Sequence, residues 1–350
     1  MKNEIINIKR EKDYNIEFLR VLCCFLVICI HVANLYSRSY GNISRDSYVF
    51  SIIVNGVSRI AVPIFFMISG ALLLEEPVEF DKNLNRVKDI FIVLLQWSFI
   101  YYFWNKFYLQ ENYDFTLLFQ EPVKKHLWFL YALLGLYMTI PFWQCMLKNM
   151  SGQLMRYFAV LWIIFLTLNY ELALRDMDMT YKVPLVGNSC YLGYFIMGYI
   201  IRHFIDYIQI KKRWCYAIAT IAAVFTIRKT YGFSLDMGVH VERFFEYRNV
   251  MIGISATAVF LAIMRDRNYA FKGRTKKWID VVSRNSFTIY LSHVLFLDLV
   301  REELHPAGIP SWIGIPLYAV GIFVVTLGFS MIILKGKKIF GGMVKKCLAH

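Results

Sequence analysis

Two ionisable residues stand in one apolar run near the start of the chain. Glu17–Tyr36 reads EFLRVLCCFLVICIHVANLY, with Arg20 at its beginning and His31 well inside. Charged groups are expensive in hydrocarbon, so they face a bundle interior or a wet cavity and mark functional sites. Eleven residues separate the two. At ~100° and 1.5 Å per residue they share one helix face, roughly 16 Å apart, about half of a ~30 Å hydrocarbon core. That face carries a fixed cation near one membrane surface and an imidazole deeper in. Near neutral pH an imidazole takes a proton from a hydroxyl or carries an acyl group as a nucleophile. Arg59 lies in the second apolar run, about 12 Å from its outer end and at a depth similar to His31. A cation there would stabilise a developing oxyanion. Each residue also has a structural use. Arg20 can pair with Glu17 at i,i+3, Arg59 with an acidic neighbour or with carbonyls freed around Pro63, and His31 can serve as a hydrogen-bonded packing group.

The elements that position these groups are apolar helices. Of the 350 residues, 58% are hydrophobic and only 18% charged, against about 25% charged in soluble domains. Apolar runs fall near 17–37, 49–74, 88–109, 127–147, 155–170, 187–205, 214–231, 247–264, 282–300 and 311–334. These predict an all-α, polytopic membrane bundle of about ten transmembrane helices. Lys and Arg favour the connectors on the N-terminal side by roughly two to one, which places both termini in the cytoplasm. The net charge of +14 therefore reads as loop charge on a membrane protein, not as a nucleic-acid surface. The first run is too long for a cleaved leader and reads as an uncleaved span.

Other chemistries find no motif. The seven cysteines include no CxxC pair, and no metal site is expected. No GxSxG elbow, HExxH zinc motif, Walker loop or dinucleotide fingerprint occurs.

Five segments, in order, are similar to the membrane-bound acyltransferase-3 family, which includes bacterial O-acetyltransferases of surface polysaccharides. They are YNIEFLR at 14–20 running into His31, SRIAVPIFFMISGALLL at 58–74, HLWFLYALLGLYMTIP at 126–141, YLGYFIMGYII at 191–201 and SRNSFTIYLSH at 283–293. The resemblance implies a single transmembrane domain over residues 1–350, with no soluble domain, in the bacterial cytoplasmic membrane. It implies transfer of an acetyl or other short acyl group from acyl-CoA to a sugar hydroxyl of a surface or lipid-linked glycan. In that family the first-span arginine and histidine are held to be essential, and they map to Arg20 and His31. A basic pair heading the third span is thought to help bind the donor. Arg86 matches its first member, while Lys88 or Lys82 stands where the family often has a second arginine. Trp128, with Lys124 and Lys125, suits a sugar entrance or an interfacial anchor. His293 shares a face with Ser286 and reads as a second polar group in the bundle, near the acceptor or in a structural bond. Acetyl-CoA, the bilayer, a glycan acceptor and glycan-assembly proteins are the expected partners. A secondary transporter or flippase with an Arg/His-lined cavity is the alternative.

Overall fold

The computed structural model describes residues 12–75, 80–174, 190–266, 271–304 and 308–347, and everything described is helix, turn or loop. Eleven α-helices follow in order: α1 Tyr14–Ser37, α2 Arg45–Ser58, α3 Ala61–Leu73, α4 Phe80–Trp104, α5 Trp128–Asn149, α6 Gly152–Leu174, α7 Cys190–His203, α8 Lys212–Met237, α9 Val250–Met264, α10 Gly273–Leu304 and α11 Ser311–Cys347. The expected all-helical class holds.

Local chemistry sets the ends. Asp13 caps α1, its carboxylate accepting from the N–H groups of Asn15 and Ile16 at 3.1 and 3.4 Å. Ser44 caps α2 in the same way. These caps satisfy amides that the first turn leaves open. The second apolar run is two helices rather than one. Arg59 and Ile60 separate α2 from α3. Pro63 lacks the N–H that would bond the Arg59 carbonyl, so the ladder breaks there and α3 starts with Pro63 in its first turn.

α2 and α3 follow one another as one apolar, broken rod over Arg45–Leu73. Polar contacts mark the two ends of the bundle. One end holds Lys12 with Asp280 at 2.5 Å, Arg202 with Glu75 at 3.2 Å and Lys212 with Asp266. The opposite end holds Arg38 with Glu242 at 2.9 Å and Lys124 with Asp298 at 3.1 Å. These are called the N-terminal and the distal end below. α1 is central, packed on α2, α3, α9, α10 and α11. Its buried Leu19, Cys23, Val27 and Ile30 join the main apolar core, and Cys24, Ile28 and Val32 join a second core shared with α10 and α11. α3 and α7 cross with their backbones in contact. A Cβ on Gly70 would fall 1.7 Å from the Phe195 carbonyl oxygen, and one on Gly198 would fall 1.9 Å from that of Met67.

Six segments are long and apolar enough to cross a membrane: Tyr14–Ser37, Arg45–Leu73, Phe80–Leu109, Lys125–Asn149, Arg243–Met264 and Ser311–Lys335. Ten were expected. The described apolar part of α6 ends at Leu168, and α7 has 14 residues. α8 and α10, at 26 and 32 residues, are long enough but too polar. For α10 the reason is physical. It carries Ser283, Asn285, Ser286, Ser292, His293 and Asp298, all buried within the bundle. The chain termini, expected on one side, lie outside the described residues.

Candidate active site

Two cavities enter the bundle from its opposite ends. The distal one has a volume of about 1080 Å³ and is lined by α1, the α2–α3 break, the segment before α5, the connector before α9 and the far half of α10. His31 lines it, with Asn34, Arg38, Arg59, Lys124, His126, Trp128, Glu242 and Asp298. The N-terminal cavity is smaller, about 380 Å³, and is lined by Arg20, Ser69, Tyr137, Ser283, Arg284, Ser286 and Tyr290 among others. The shared helix face of Arg20 and His31 thus reaches both cavities, one residue in each.

Arg59 is buried and held on several sides. Its Nε donates to Asn55 Oδ1 at 2.8 Å, and Nη2 meets Glu242 Oε1 at 3.2 Å. The guanidinium also lies over the rings of Phe245 and Tyr247. Arg38 takes the other oxygen of Glu242. Burial alone would raise the Glu242 carboxyl, but Arg38 and Arg59 outweigh it and hold the group below the usual carboxylate range. Across the cavity, Asp298 accepts from Lys124 at 3.1 Å and from the Trp104 indole at 3.2 Å, and Arg301 lies 3.8 Å away. Each wall therefore offers a carboxylate already bound by two cations.

At the floor stand three histidines. His31 and His293 have ring centroids 5.0 Å apart, and His126 and His293 5.3 Å. His293 is fully buried and lines neither cavity. Its Nδ1 lies 2.5 Å from the Tyr290 carbonyl. A carbonyl only accepts, so Nδ1 carries the proton and Nε2 presents a lone pair. That Nε2 is buried with no partner. His126 Nε2 donates to the Leu291 carbonyl at 3.4 Å by the same logic, leaving Nδ1 as a second buried lone pair. The His126 carbonyl accepts from the Tyr290 hydroxyl. Among the described residues no group of three or more His, Cys, Asp or Glu side chains is arranged to hold a metal ion.

At the N-terminal cavity, Arg20 pairs with Glu17 at 3.5 Å, the i,i+3 contact open to it from the sequence. Arg86 does not line the cavity, yet it lies with Arg20 in electrostatic reach of the Tyr137 hydroxyl, and its buried Nη1 has no hydrogen-bond partner. Lys88 is exposed and lines neither cavity. Trp128 lines the distal cavity between the rings of Tyr191 and Tyr247, at 5.0 and 5.7 Å. The structure thus brings His31, Arg59 and Trp128 to one cavity, with His293 behind His31, and Arg20 to the other. Sequence reasoning missed His126, Glu242 and Asp298. Asp298 had a signal, since an acidic residue in an apolar run is itself a mark of a polar interior.

The helices, opposed cavities and buried histidines define a multi-pass membrane protein with a polar interior. A family model described as an acyltransferase domain, that of the acyltransferase-3 family, matches residues 13–335. The chain belongs to that family. No curated protein and no solved structure matches it significantly.

Proposed function

We propose that this membrane acyltransferase moves an acetyl or other short acyl group from acyl-CoA to a sugar hydroxyl of a surface or lipid-linked glycan. One observation carries the reading: a titratable imidazole, His31, stands at the floor of a large polar cavity whose floor meets a second, cationic cavity from the other end. The bundle crosses the bacterial cytoplasmic membrane ten times with both termini inside, as the loop charges favour. The N-terminal cavity then opens to the cytoplasm, where acyl-CoA resides. Its small volume suits the thioester arm, with the donor phosphates at its mouth near Arg20 and Arg86. Arg86 lies in electrostatic reach of Tyr137, which lines that cavity, and adds a second cation beside it. Exposed Lys88 serves as a point charge at that mouth.

The acceptor enters the distal cavity, which Trp128 lines. His31 takes the hydroxyl proton as the oxygen attacks the thioester carbonyl. The C–S bond breaks, CoA leaves as thiolate, and the imidazolium returns the proton to it. If His31 attacks first, it carries the acyl group briefly and the hydroxyl then displaces it. In both courses Arg59 faces the charge that develops on the carbonyl oxygen. His293 stands behind His31 and takes part through it.

Opposed cavities also suit a secondary transporter or flippase. Purified protein given radiolabelled acetyl-CoA and a lipid extract of the source membranes separates the two. Label bound covalently to saccharide, with one free thiol released per transfer, supports the reading. Uptake or flipping without any acylated product overturns it.

A further inference from the structure

The two cavities have one lining residue in common among the described residues, and it is Tyr290. Its neighbours Phe129 and His126 line one cavity each, Phe129 the N-terminal one and His126 the distal one. Tyr290 is itself only 7% exposed. Its side chain is fixed at both ends. The hydroxyl donates to the His126 carbonyl, and the ring packs on Phe129 at 5.2 Å, His126 at 5.9 Å and His293 at 5.8 Å. Its own carbonyl holds the His293 imidazole. A phenol pinned to the element that carries His126 and packed on Phe129, in the first turn of α5, spans the gap between α10 and α5.

We infer that Tyr290 is a one-residue partition between donor and acceptor cavities. The inference rests on the reading that the donor enters from the N-terminal end and the acceptor from the distal end. Closed, the phenol ring keeps water of the distal cavity away from a thioester waiting in the other. The acyl group passes when the ring leaves the His126 carbonyl and gives its place to the thioester. This makes Tyr290 a positioning residue whose loss changes what attacks the thioester. Without the ring, a water molecule takes the place of the sugar hydroxyl. Water oxygen bonds to the carbonyl carbon, the C–S bond breaks, His31 takes the proton and returns it to the thiolate, and acetate and CoA are the products. Exclusion of water is the usual defence of an acyl-transfer site against this reaction.

Two readouts test it. The first needs no catalysis. In whole cells, with Cys145 and Cys347 replaced by serine, Ser69→Cys places a thiol in the N-terminal cavity and Ser39→Cys places one in the distal cavity. A membrane-impermeant maleimide added outside should label Ser39→Cys in every background. It should label Ser69→Cys only when Tyr290 is also Ala, and weakly when it is Leu. Tyr290→Phe, which keeps the ring and loses the hydroxyl bond, should remain nearly closed. The second readout is thiol release from acetyl-CoA by purified protein, measured without acceptor for hydrolysis and with a lipid extract of the source membranes for transfer. Tyr290→Ala should raise the ratio of hydrolysis to transfer at least tenfold, and adding His31→Ala should abolish hydrolysis while Ser69→Cys stays reachable. Failure of Ser69→Cys to label in both the Ala and Leu backgrounds, with Ser39→Cys labelled, overturns the partition. So does an unchanged ratio in Tyr290→Ala when the wild type transfers normally. If the wild type transfers nothing but Tyr290→Ala still admits the maleimide, the partition stands and the acyl-transfer reading falls.

Discussion

The imidazole of His293 stands 5.0 Å, centroid to centroid, from that of His31, and its single paired nitrogen is taken by the Tyr290 carbonyl. The remaining nitrogen is a lone pair with no partner. Were His31 to turn an N–H onto that lone pair, its other nitrogen would be left free to act as a base. This is the service a carboxylate gives to a catalytic histidine elsewhere. His293→Gln, which retains an acceptor oxygen, should keep more turnover than His293→Phe, and the Phe variant should lose about 10-fold or more. Donor KM should stay constant in both, which a general loss of packing would not produce. Steady-state kinetics on the two variants decide it.

His31→Ala should remove turnover by 10²–10⁴-fold, the usual span for a general acid–base group, with unchanged elution and helical content. Retention of more than about a tenth of activity would show that another group takes the proton.

Donor binding should weaken as salt rises, because phosphate–cation attraction is screened where solvent reaches it. Arg86→Ala should lower CoA affinity and flatten that dependence. Arg86→Lys should recover part of it, since the charge returns without the bidentate fork. Lys88→Ala, at an exposed position, should change affinity less than Arg86→Ala. Calorimetry at several salt concentrations measures all three.

The clamp on Glu242 gives a stability signature. Its carboxyl is held below the usual 4.5 despite burial, by Arg38 and Arg59. A depressed carboxylate stabilises the fold fully above its unfolded value, and the contribution disappears as pH falls through the folded value. Wild type should therefore melt above Glu242→Gln at pH 6–7, and the gap should close as pH drops below about 4.5. A gap that is constant across this range would mean that charge is not what Glu242 contributes.

Cysteine tags at residues 2 and 350 should both escape an impermeant reagent added outside intact cells. Labelling of either would reverse the side from which Arg20 meets the donor.

Much of the site was legible because it lies along one helix. Arg20 and His31 share α1, and helical geometry alone relates them; that each lines a separate cavity emerges only from the packing of the other helices. What the sequence withheld is register between helices. His126 sits beside two lysines at the edge of a span and looks like loop. Glu242 lies in a polar connector and gains meaning only when Arg38 and Arg59 arrive from two other elements. Tyr290 is one tyrosine among 23, and nothing local marks it as a wall of two cavities. The break at Arg59 was half legible, since Pro63 announced freed carbonyls but not that the rod would split. Hydropathy counted ten runs, yet α10 fails as a lipid-facing span because its polar residues face inward.

The crossing of α3 and α7 bears on how such a bundle breathes. With main chain against main chain at Gly70 and Gly198, neither helix can slide along the other without forcing side chains through a carbonyl. The pair is a weld. α3 also walls the N-terminal cavity, through Phe65, Ile68 and Ser69, so that side of it is rigid. The cavity is also lined by Ile90 of α4 and Leu133 and Tyr137 of α5, from two of the least buried apolar segments. Widening that admits a bulky ligand would then fall to α4 and α5, as a door opens against a fixed jamb.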